Sequence, residues 1–322
     1  MKQTVLLTLL CAACYGVPAV AADAAADPIM RAMRDELARS RELKVPNLES
    51  PYYVEYAIDD VESFSVSATF GGLVNASRNK IRVPRVEVRV GSYQFDNTNY
   101  VGSSFTYGSN YDVERFPLDN DYPLLRRYLW LATDRAYKSA VESIARKRAA
   151  LKNISAGELP ADFAKTEPLR RVEDLRPAAI DEAAWKARVR ALSAVFLKFP
   201  ALRTSSVELE ALQNTHYMIT SEGTEVRVPE KIMFLRARAA SQAADGMILR
   251  DAVVFHTADF GRMASDEEMA REIARMSGNI IALTKAPRSE GYSGPVLFEK
   301  DAAAQLFAQL LGKNFSPSRR PV

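Results

Sequence analysis

The sequence of 322 residues has few of the side chains from which most catalytic sites are built. It contains two cysteines, Cys11 and Cys14, and both lie in the N-terminal leader described below. The rest of the chain therefore has no disulfide, thiol nucleophile or cysteine metal ligand. The two histidines, His216 and His256, lie far apart in strand-like segments. A shared metal site would require both to converge with a carboxylate, so two unrelated imidazoles are the simpler interpretation.

Common catalytic motifs are missing as well. The sequence has no G-x-S-x-G and no glycine-rich phosphate loop of the Walker or dinucleotide type. Ser221 lies beside Glu222 in a predicted hairpin turn, and turn preference explains this serine. The carboxylate pairs 59–60 and 267–268 are interpreted as a turn and as the first turn of a helix. Composition and spacing by themselves thus predict an α+β domain and do not identify a reaction that it catalyses.

Charge of one sign is not in excess, because 43 Lys and Arg residues stand against 40 Asp and Glu residues. The two signs are mixed along the chain, unlike the one-sided basic patch of a nucleic-acid-binding protein. No segment approaches the roughly 20 apolar residues of a transmembrane helix. The sequence therefore predicts neither a nucleic-acid partner nor a membrane span.

The first 21 residues have the pattern of a secretory signal peptide. Lys2 supplies the positive charge, an apolar run follows over residues 5–13, and Ala19-Val20-Ala21 forms a small-x-small cleavage site. We therefore expect the mature protein to be periplasmic or secreted after cleavage near Ala21.

Hydrophobic periodicity predicts helices and strands in the first half of the chain. A helix begins after Asp27 with apolar residues at i, i+4 and i+8, and a long helix covers about 122–153. Its basic cluster Arg146-Lys147-Arg148 is predicted to be a solvated helix end. Strands with period-two alternation are predicted at 53–58, 64–70 and 86–90, which favours an antiparallel sheet.

The second half begins with a connector at about 155–179, which contains three prolines. A helix is then predicted from Asp181 to Pro200, followed by strands up to about 239 and by a helix with a capping box at Ser265 and Glu268. A last strand at 295–298 precedes a helix over about 301–312. The predicted class is α+β, with an antiparallel sheet packed against long amphipathic helices.

Three segments in this order resemble the N-terminal half of the TldD/PmbA metallopeptidase family. They are the hairpin YMITSEGTEVR at 217–227, the segment ADGM at 244–247, and the ending YSGPVLF at 292–298 with the helix after it. The likeness covers most of the chain beyond the leader. It implies an α+β N-terminal domain, a β-rich C-terminal domain, and dimers of an active and an inactive subunit.

The resemblance also implies where a zinc site would lie. Active members carry H-E-x-x-x-H on the helix after the P-V-L strand, with two imidazoles for zinc and a glutamate as general base. The matching positions here are Ala308, Gln309 and Lys313. A methyl group, an amide and an ammonium replace the three required groups, as in the inactive, PmbA-like branch. The resemblance therefore implies no zinc in this chain and zinc in a partner subunit.

These observations predict a signal peptide at 1–21, a TldD/PmbA-like N-terminal domain at 22–287, and the start of a truncated C-terminal domain at 288–322. The expected function is that of a non-catalytic subunit or fragment that acts in proteolysis with a zinc-bearing TldD-like partner on unfolded peptides. Ser221, Glu222 and Gly223 are candidate peptide-binding residues beside an exposed strand edge. Two alternatives remain open: an active peptidase with ligands in a missing C-terminal half, and a stand-alone periplasmic interaction module.

Overall fold

The computed structural model describes residues 27–99, 116–152, 160–175, 177–287 and 291–315. The predicted signal peptide lies outside these residues. Within them, no helix combines the length and the apolar character that crossing a bilayer requires.

The described residues contain one sheet of six strands. Strands β2, β1, β4 and β5 lie side by side, and both β3 and β6 pair with β5. All neighbours are antiparallel except β3 and β5. The predicted α+β class is thereby confirmed. The strands are β1 Pro51–Thr69, β2 Gly72–Val90, β3 Arg170–Val172, β4 Thr204–Thr220, β5 Glu225–Gln242 and β6 Ile248–Thr257.

Helices flank the strands in the chain order that the periodicity predicts. The first four begin at an Asp or Ser whose side chain accepts a backbone N–H of the first turn, namely Asp27, Asp121, Asp181 and Ser265. Short 3₁₀ turns occur at Val195–Lys198 and Phe260–Arg262, and a π-helical turn at Ala308–Gly312. The helices are α1 Pro28–Arg41, α2 Tyr122–Leu151, α3 Glu182–Ala194, α4 Asp266–Leu283, α5 Lys300–Phe307 and α6 Lys313–Phe315.

Two hydrophobic cores lie on the same face of the sheet. Val54, Tyr56 and Ile58 of β1 pack in the core formed with α1 and α2, while Phe64 and Val66 pack in the core formed with α3 and α4. These positions share one parity along a single strand, so they point to the same side. Each fully buried apolar side chain contributes about 1.5–3 kcal/mol. The two helix pairs therefore cover the two halves of one sheet face and leave its middle, around Asp60 and Glu62, without a helix.

Three sequence predictions are corrected by the structure. The two short strands predicted at 53–58 and 64–70 are parts of one continuous strand, β1. Asp59 and Asp60 therefore lie within a strand and not in a turn. Residues 295–298 are irregular and not a strand, and no described strand pairs with them. Lys147 is buried, with 1% of its surface exposed, because its ammonium binds groups from other segments.

Tyr56 joins three elements through hydrogen bonds in the core of α1 and α2. Its hydroxyl lies 2.9 Å from Ser40 Oγ of α1 and 2.6 Å from Thr133 Oγ1 of α2. Thr133 donates its own proton to the carbonyl of Leu129, so Tyr56 donates to Thr133. Burial raises the pKa of Tyr56 from 10.0 to about 12.

We expect the protein to lose stability in alkaline solution. Because the pKa of Tyr56 is higher in the folded than in the unfolded chain, its stabilising contribution is complete below pH 10.0 and is lost as the pH rises through about 12. Burial also raises the pKa values of Tyr52, Tyr53 and Tyr217. Phenolate absorbance should follow unfolding by circular dichroism. Tyr56→Phe lacks the hydrogen bonds of the hydroxyl, so it should be less stable at neutral pH, and its free energy of unfolding should fall less steeply between pH 10.0 and about 12. Tyrosines that titrate near pH 10.0 in the folded protein would contradict this.

Candidate functional site

The hairpin with the candidate peptide-binding residues is tied to the rest of the protein. The amide of Ser221 donates to Val54 O over 2.8 Å, and its hydroxyl accepts the Val54 amide over 2.9 Å. Glu222 accepts a hydrogen bond from Tyr93, and Gly223 adopts a φ of 108° that favours glycine. These residues hold the turn in place, and peptide binding by them stays a prediction.

The strand edge expected beside this hairpin is occupied. Glu225–Arg227 of β5 pairs with Arg170–Val172, the short β3 inside the connector. The sequence did not predict β3, because a strand of only three residues is too short to show a detectable hydrophobic period. A peptide therefore does not meet a free edge at 225–227, and the expectation of strand addition there is corrected.

The two histidines are not close to each other in the sheet. His216 in β4 bonds through Nδ1 to Asp59 Oδ1 of β1 over 2.8 Å, whereas His256 lies exposed on β6. Among the described residues, no three His, Cys, Asp or Glu side chains converge as a metal site requires.

The positions that match the zinc motif lie on the C-terminal helical segment. Ala308 and Gln309 are exposed within the π-helical turn that follows α5. Neither a methyl group nor a neutral amide supplies the nitrogen ligand or the carboxylate base of that motif. These residues, together with the lysine at 313, do not fit a zinc ion.

A cleft opens over the middle of the sheet, between the two helix pairs, and has a volume of about 650 Å³. Its floor is formed by β1, β4 and β5, and one wall by the connector after β3. Ligand pockets commonly measure about 300–1,000 Å³. The lining residues are Asp60, Glu62, Val172, Glu173, Asp174, Leu175, Pro177, Gln213, Asn214, Thr215, Pro229, Glu230 and Lys231.

Hydrogen bonds hold the connector wall against the sheet at both ends. Glu173 N donates to Arg227 O over 2.9 Å, and Arg227 Nε donates to Glu173 O over 3.0 Å. Further along, the side-chain amide of Gln213 exchanges two hydrogen bonds with the backbone of Ala178, of 2.7 and 2.8 Å. The wall is therefore fixed by β5 on one side and by β4 on the other.

Five of the lining residues are acidic and one is basic, but most of these charges are neutralised. Asp60 is neutralised by the buried Arg82, with contacts of 2.8 and 3.1 Å, and Glu62 lies 3.7 Å from Lys80. Glu173 pairs with Arg171 outside the cleft. Glu230 alternates with Pro229 and Lys231 along β5, so its side chain points to the face of the sheet opposite the cleft. Asp174 and Lys231 are the other charged lining residues, and their charges are opposite.

Sequence reasoning missed this cleft. Its residues come from four segments that are distant in the chain, and a single sequence does not show which of them meet. The alternation of β1 gives one usable signal, since Asp60 and Glu62 interrupt an otherwise apolar face. Carboxylates at two successive inward positions indicate that the face is not covered there.

No protein-family model and no curated protein matches the sequence. Among solved structures, the chain is similar to TldE from Thermococcus kodakarensis, with a TM-score of 0.46 and 9% identity over 78% of this chain and 47% of that one. It is also similar to a proposed modulator of a DNA gyrase from Thermotoga maritima, with a TM-score of 0.43 and 12% identity over 77% and 47%. A second such protein, from Bacteroides thetaiotaomicron, has a TM-score of 0.43 and 8% identity over 75% and 49%.

TldE is among the solved structures to which this chain is similar. These matches have 8–12% identity and TM-scores of 0.43–0.46, and they assign no function to this chain. The chain spans about half the length of each of these structures.

Proposed function

We propose that this chain is an exported, non-catalytic member of a TldD/PmbA-type peptidase assembly. It associates with a zinc-bearing subunit and helps to enclose unfolded peptide segments on which that subunit acts. Export rests on the leader at residues 1–21. The non-catalytic role rests on the side chains at Ala308, Gln309 and Lys313, which lack the chemistry of the zinc motif.

The observation that best supports an assembly is the exposed apolar surface of residues 291–315. None of the side chains described in this segment is buried. Phe307, Leu311 and Phe315 recur at i, i+4 and i+8, so they form a stripe on the helical segment. Contiguous apolar surface of this kind marks an interaction site. The large exposed side chains are Tyr292, Val296, Leu297, Phe298, Phe307, Leu310, Leu311 and Phe315.

Association with a zinc-bearing family member from the same genome provides the test. The purified chain alone should retain no zinc and should show no peptidase activity that chelators abolish. Mixed with the partner, it should form a complex that elutes as one species. The double variant Phe307→Ser and Leu311→Ser should weaken this complex about tenfold or more, because buried aromatic and aliphatic anchors carry most of the binding energy.

Leu169→Ser is the matched control, since Leu169 is similarly exposed but lies just before β3. Its complex should be as stable as that of the unchanged chain. Stoichiometric zinc in the isolated chain would favour the active-peptidase alternative. Failure to bind any metallopeptidase, in the mixture or in its native extract, would favour a stand-alone module and overturn the proposal.

A further inference from the structure

We infer that the outer edge of β6 pairs with the same edge of a second copy of this chain, so that two sheets join as one continuous sheet across a two-fold axis. The inference goes beyond the proposed function, because it concerns contact between two copies and not with the zinc-bearing partner. Four observations carry it: an unpaired strand edge, its exposure, the protection of the opposite edge, and a self-complementary sequence.

Strand β6 has backbone groups that point away from the sheet. Among the described residues it pairs with β5 alone, and this antiparallel register has no shift. Glu225 N donates to Leu169 O on the side of β5 away from β4, so odd-numbered residues of β5 direct their backbone groups toward β6. Their partners in β6 are odd-numbered as well. The N–H and C=O groups of the even-numbered residues therefore point outward, namely those of Ile248, Arg250, Ala252, Val254 and His256.

This outer edge is exposed. Val254 and Ile248 are 52% and 59% exposed, on the face of the sheet opposite the helices. Among the outward backbone groups of the described β6, one has a hydrogen-bond partner, since Ala252 N donates to the carboxylate of its neighbour Asp251 over 2.8 Å. A strand edge of this length and exposure is a template for pairing with another chain.

The opposite edge of the sheet, along β2, carries features that hinder such pairing. The side-chain carbonyl of Asn97 accepts the outward N–H of Val90 over 2.9 Å. Pro84 stands at a position of the same outward parity and has no N–H, and Arg78 and Lys80 add positive charge along the strand. Blocked groups, prolines and charges are the usual means of protecting an edge. Pairing through β6 alone therefore ends in a closed dimer and does not grow into a fibre.

The sequence of β6 is complementary to itself in one antiparallel register. When the two-fold axis passes through Val254, Val253 lies opposite Phe255 of the second copy, and Asp251 lies opposite Thr257. Apolar side chains thus meet apolar ones beside the core of α3 and α4, against which Val253 and Phe255 already pack. Pairs of aromatic and β-branched residues stabilise antiparallel strands, and the carboxylate meets a polar residue.

Neighbouring registers are less favourable because Asp251 meets an unsuitable residue. An axis one or two residues earlier places it opposite Phe255 or Val253, and an axis one residue later places it opposite Asp259. A carboxylate against an apolar side chain loses water without gaining a hydrogen bond. Two carboxylates directly opposite each other repel. The sequence therefore favours the axis through Val254.

This register uses the outward backbone groups of β6 as they stand. Val254 exchanges two hydrogen bonds with its own copy, and Ala252 pairs with His256 on either side of the axis. The dimer gains about six backbone hydrogen bonds in this way, of which the two from Ala252 N replace its contact with Asp251. Association therefore requires no rearrangement of the strand itself.

Cysteine cross-linking tests the arrangement, because both natural cysteines lie within the first 21 residues and the chain without this leader has none. A short bis-maleimide reagent should join Val254→Cys to its own copy, since directly opposite residues of paired strands lie about 5.5 Å apart between Cα atoms. Ile248→Cys is the matched control on the same strand and face. Its two copies would stand about 40 Å apart along the paired strands, so it should not be cross-linked.

A second pair of variants tests the backbone contact, with analytical ultracentrifugation as the measurement. Val254→Pro removes the outward N–H and leaves the ladder with β5 intact, whereas Val254→Thr keeps the N–H and a β-branched side chain. Val254→Pro should dimerise about tenfold more weakly than Val254→Thr or worse, because each dimer loses two hydrogen bonds. Circular dichroism checks that both variants are folded, and the cross-linking result is independent of them.

Three outcomes would overturn the inference. The first is a chain that sediments as a monomer at every concentration and is not cross-linked at position 254. The second is equal cross-linking of Val254→Cys and Ile248→Cys, which would mean random collision or another register. The third is loss of the cross-link when Phe307→Ser and Leu311→Ser are added, which would place the contact between copies on residues 291–315. The proposed function is tested separately by binding of the zinc-bearing partner, so its success or failure is distinguishable from these outcomes.

Discussion

Replacing Lys147 by methionine is expected to lower the free energy of unfolding by about 3–5 kcal/mol. The Lys147 ammonium donates to the carbonyls of Asp96 and Thr98 over 3.1 and 2.8 Å and forms an ion pair with Asp162. The side chain of Asp162 is itself buried, so the variant leaves its negative charge without the ammonium of Lys147 and leaves two carbonyls that lack this donor away from water. Urea denaturation with an unchanged slope would show the loss as a lower midpoint.

Lys138→Met on the same helix is the control. Lys138 pairs with Asp134 over 2.7 Å, but both side chains are largely exposed. Such a pair contributes about 0.3–0.5 kcal/mol, so this variant should unfold close to the unchanged protein. Similar midpoints for the two variants would show that the ion pair of Lys147 is no more important than a surface contact.

Arg227→Met is expected to lower the free energy of unfolding by a similar amount, about 3–5 kcal/mol, because it removes one partner of another buried ion pair. The guanidinium of Arg227 is fully buried and lies 3.1 Å from Asp27 Oδ2. Asp27 also caps α1 by accepting the amides of Ile29 and Met30. Loss of the positive charge therefore leaves a buried carboxylate at the start of α1 and also frees Glu173 O in the cleft wall.

A double variant distinguishes the effect of the charge of Asp27 from its effect as the N-cap of α1. Asp27→Asn combined with Arg227→Met removes both charges, and asparagine remains a good N-cap. It should be more stable than Arg227→Met alone, and the difference in thermal midpoint reports the cost of the unpaired carboxylate. A double variant that is less stable than either single variant would contradict this explanation.

The elements of the fold were largely predictable from the sequence, and their contacts were not. Asp27, Asp181 and Ser265 each mark a helix start that the structure confirms, because capping depends on neighbours in the chain. Lys147 was predicted to be solvated because it follows Arg146 and precedes Arg148, both of which are exposed. Its partner Asp162 lies in the connector, and no local pattern reveals a contact of this kind.

The candidate sites also differ in how far the sequence alone predicts them. The identities at positions 308, 309 and 313 already exclude zinc chemistry there, since ligand chemistry is a property of the residue itself. The segment 295–298 has the composition of a strand, yet it is exposed and no described strand pairs with it, which is what a strand requires. The unpaired edge of β6 depends on the order of the strands in the sheet, and only the structure gives this order.

The continuity of β1 and β4 through both cores limits how the molecule can open. A protein whose binding cleft lies between two separate lobes can widen it by rotating one lobe away. Here the floor beneath the cleft is the same pair of hydrogen-bonded strands that supports both helix pairs, and parting the halves would break the sheet itself. Whatever occupies the cleft must therefore enter from its solvent side, past the connector wall, into a channel whose width the sheet has already set.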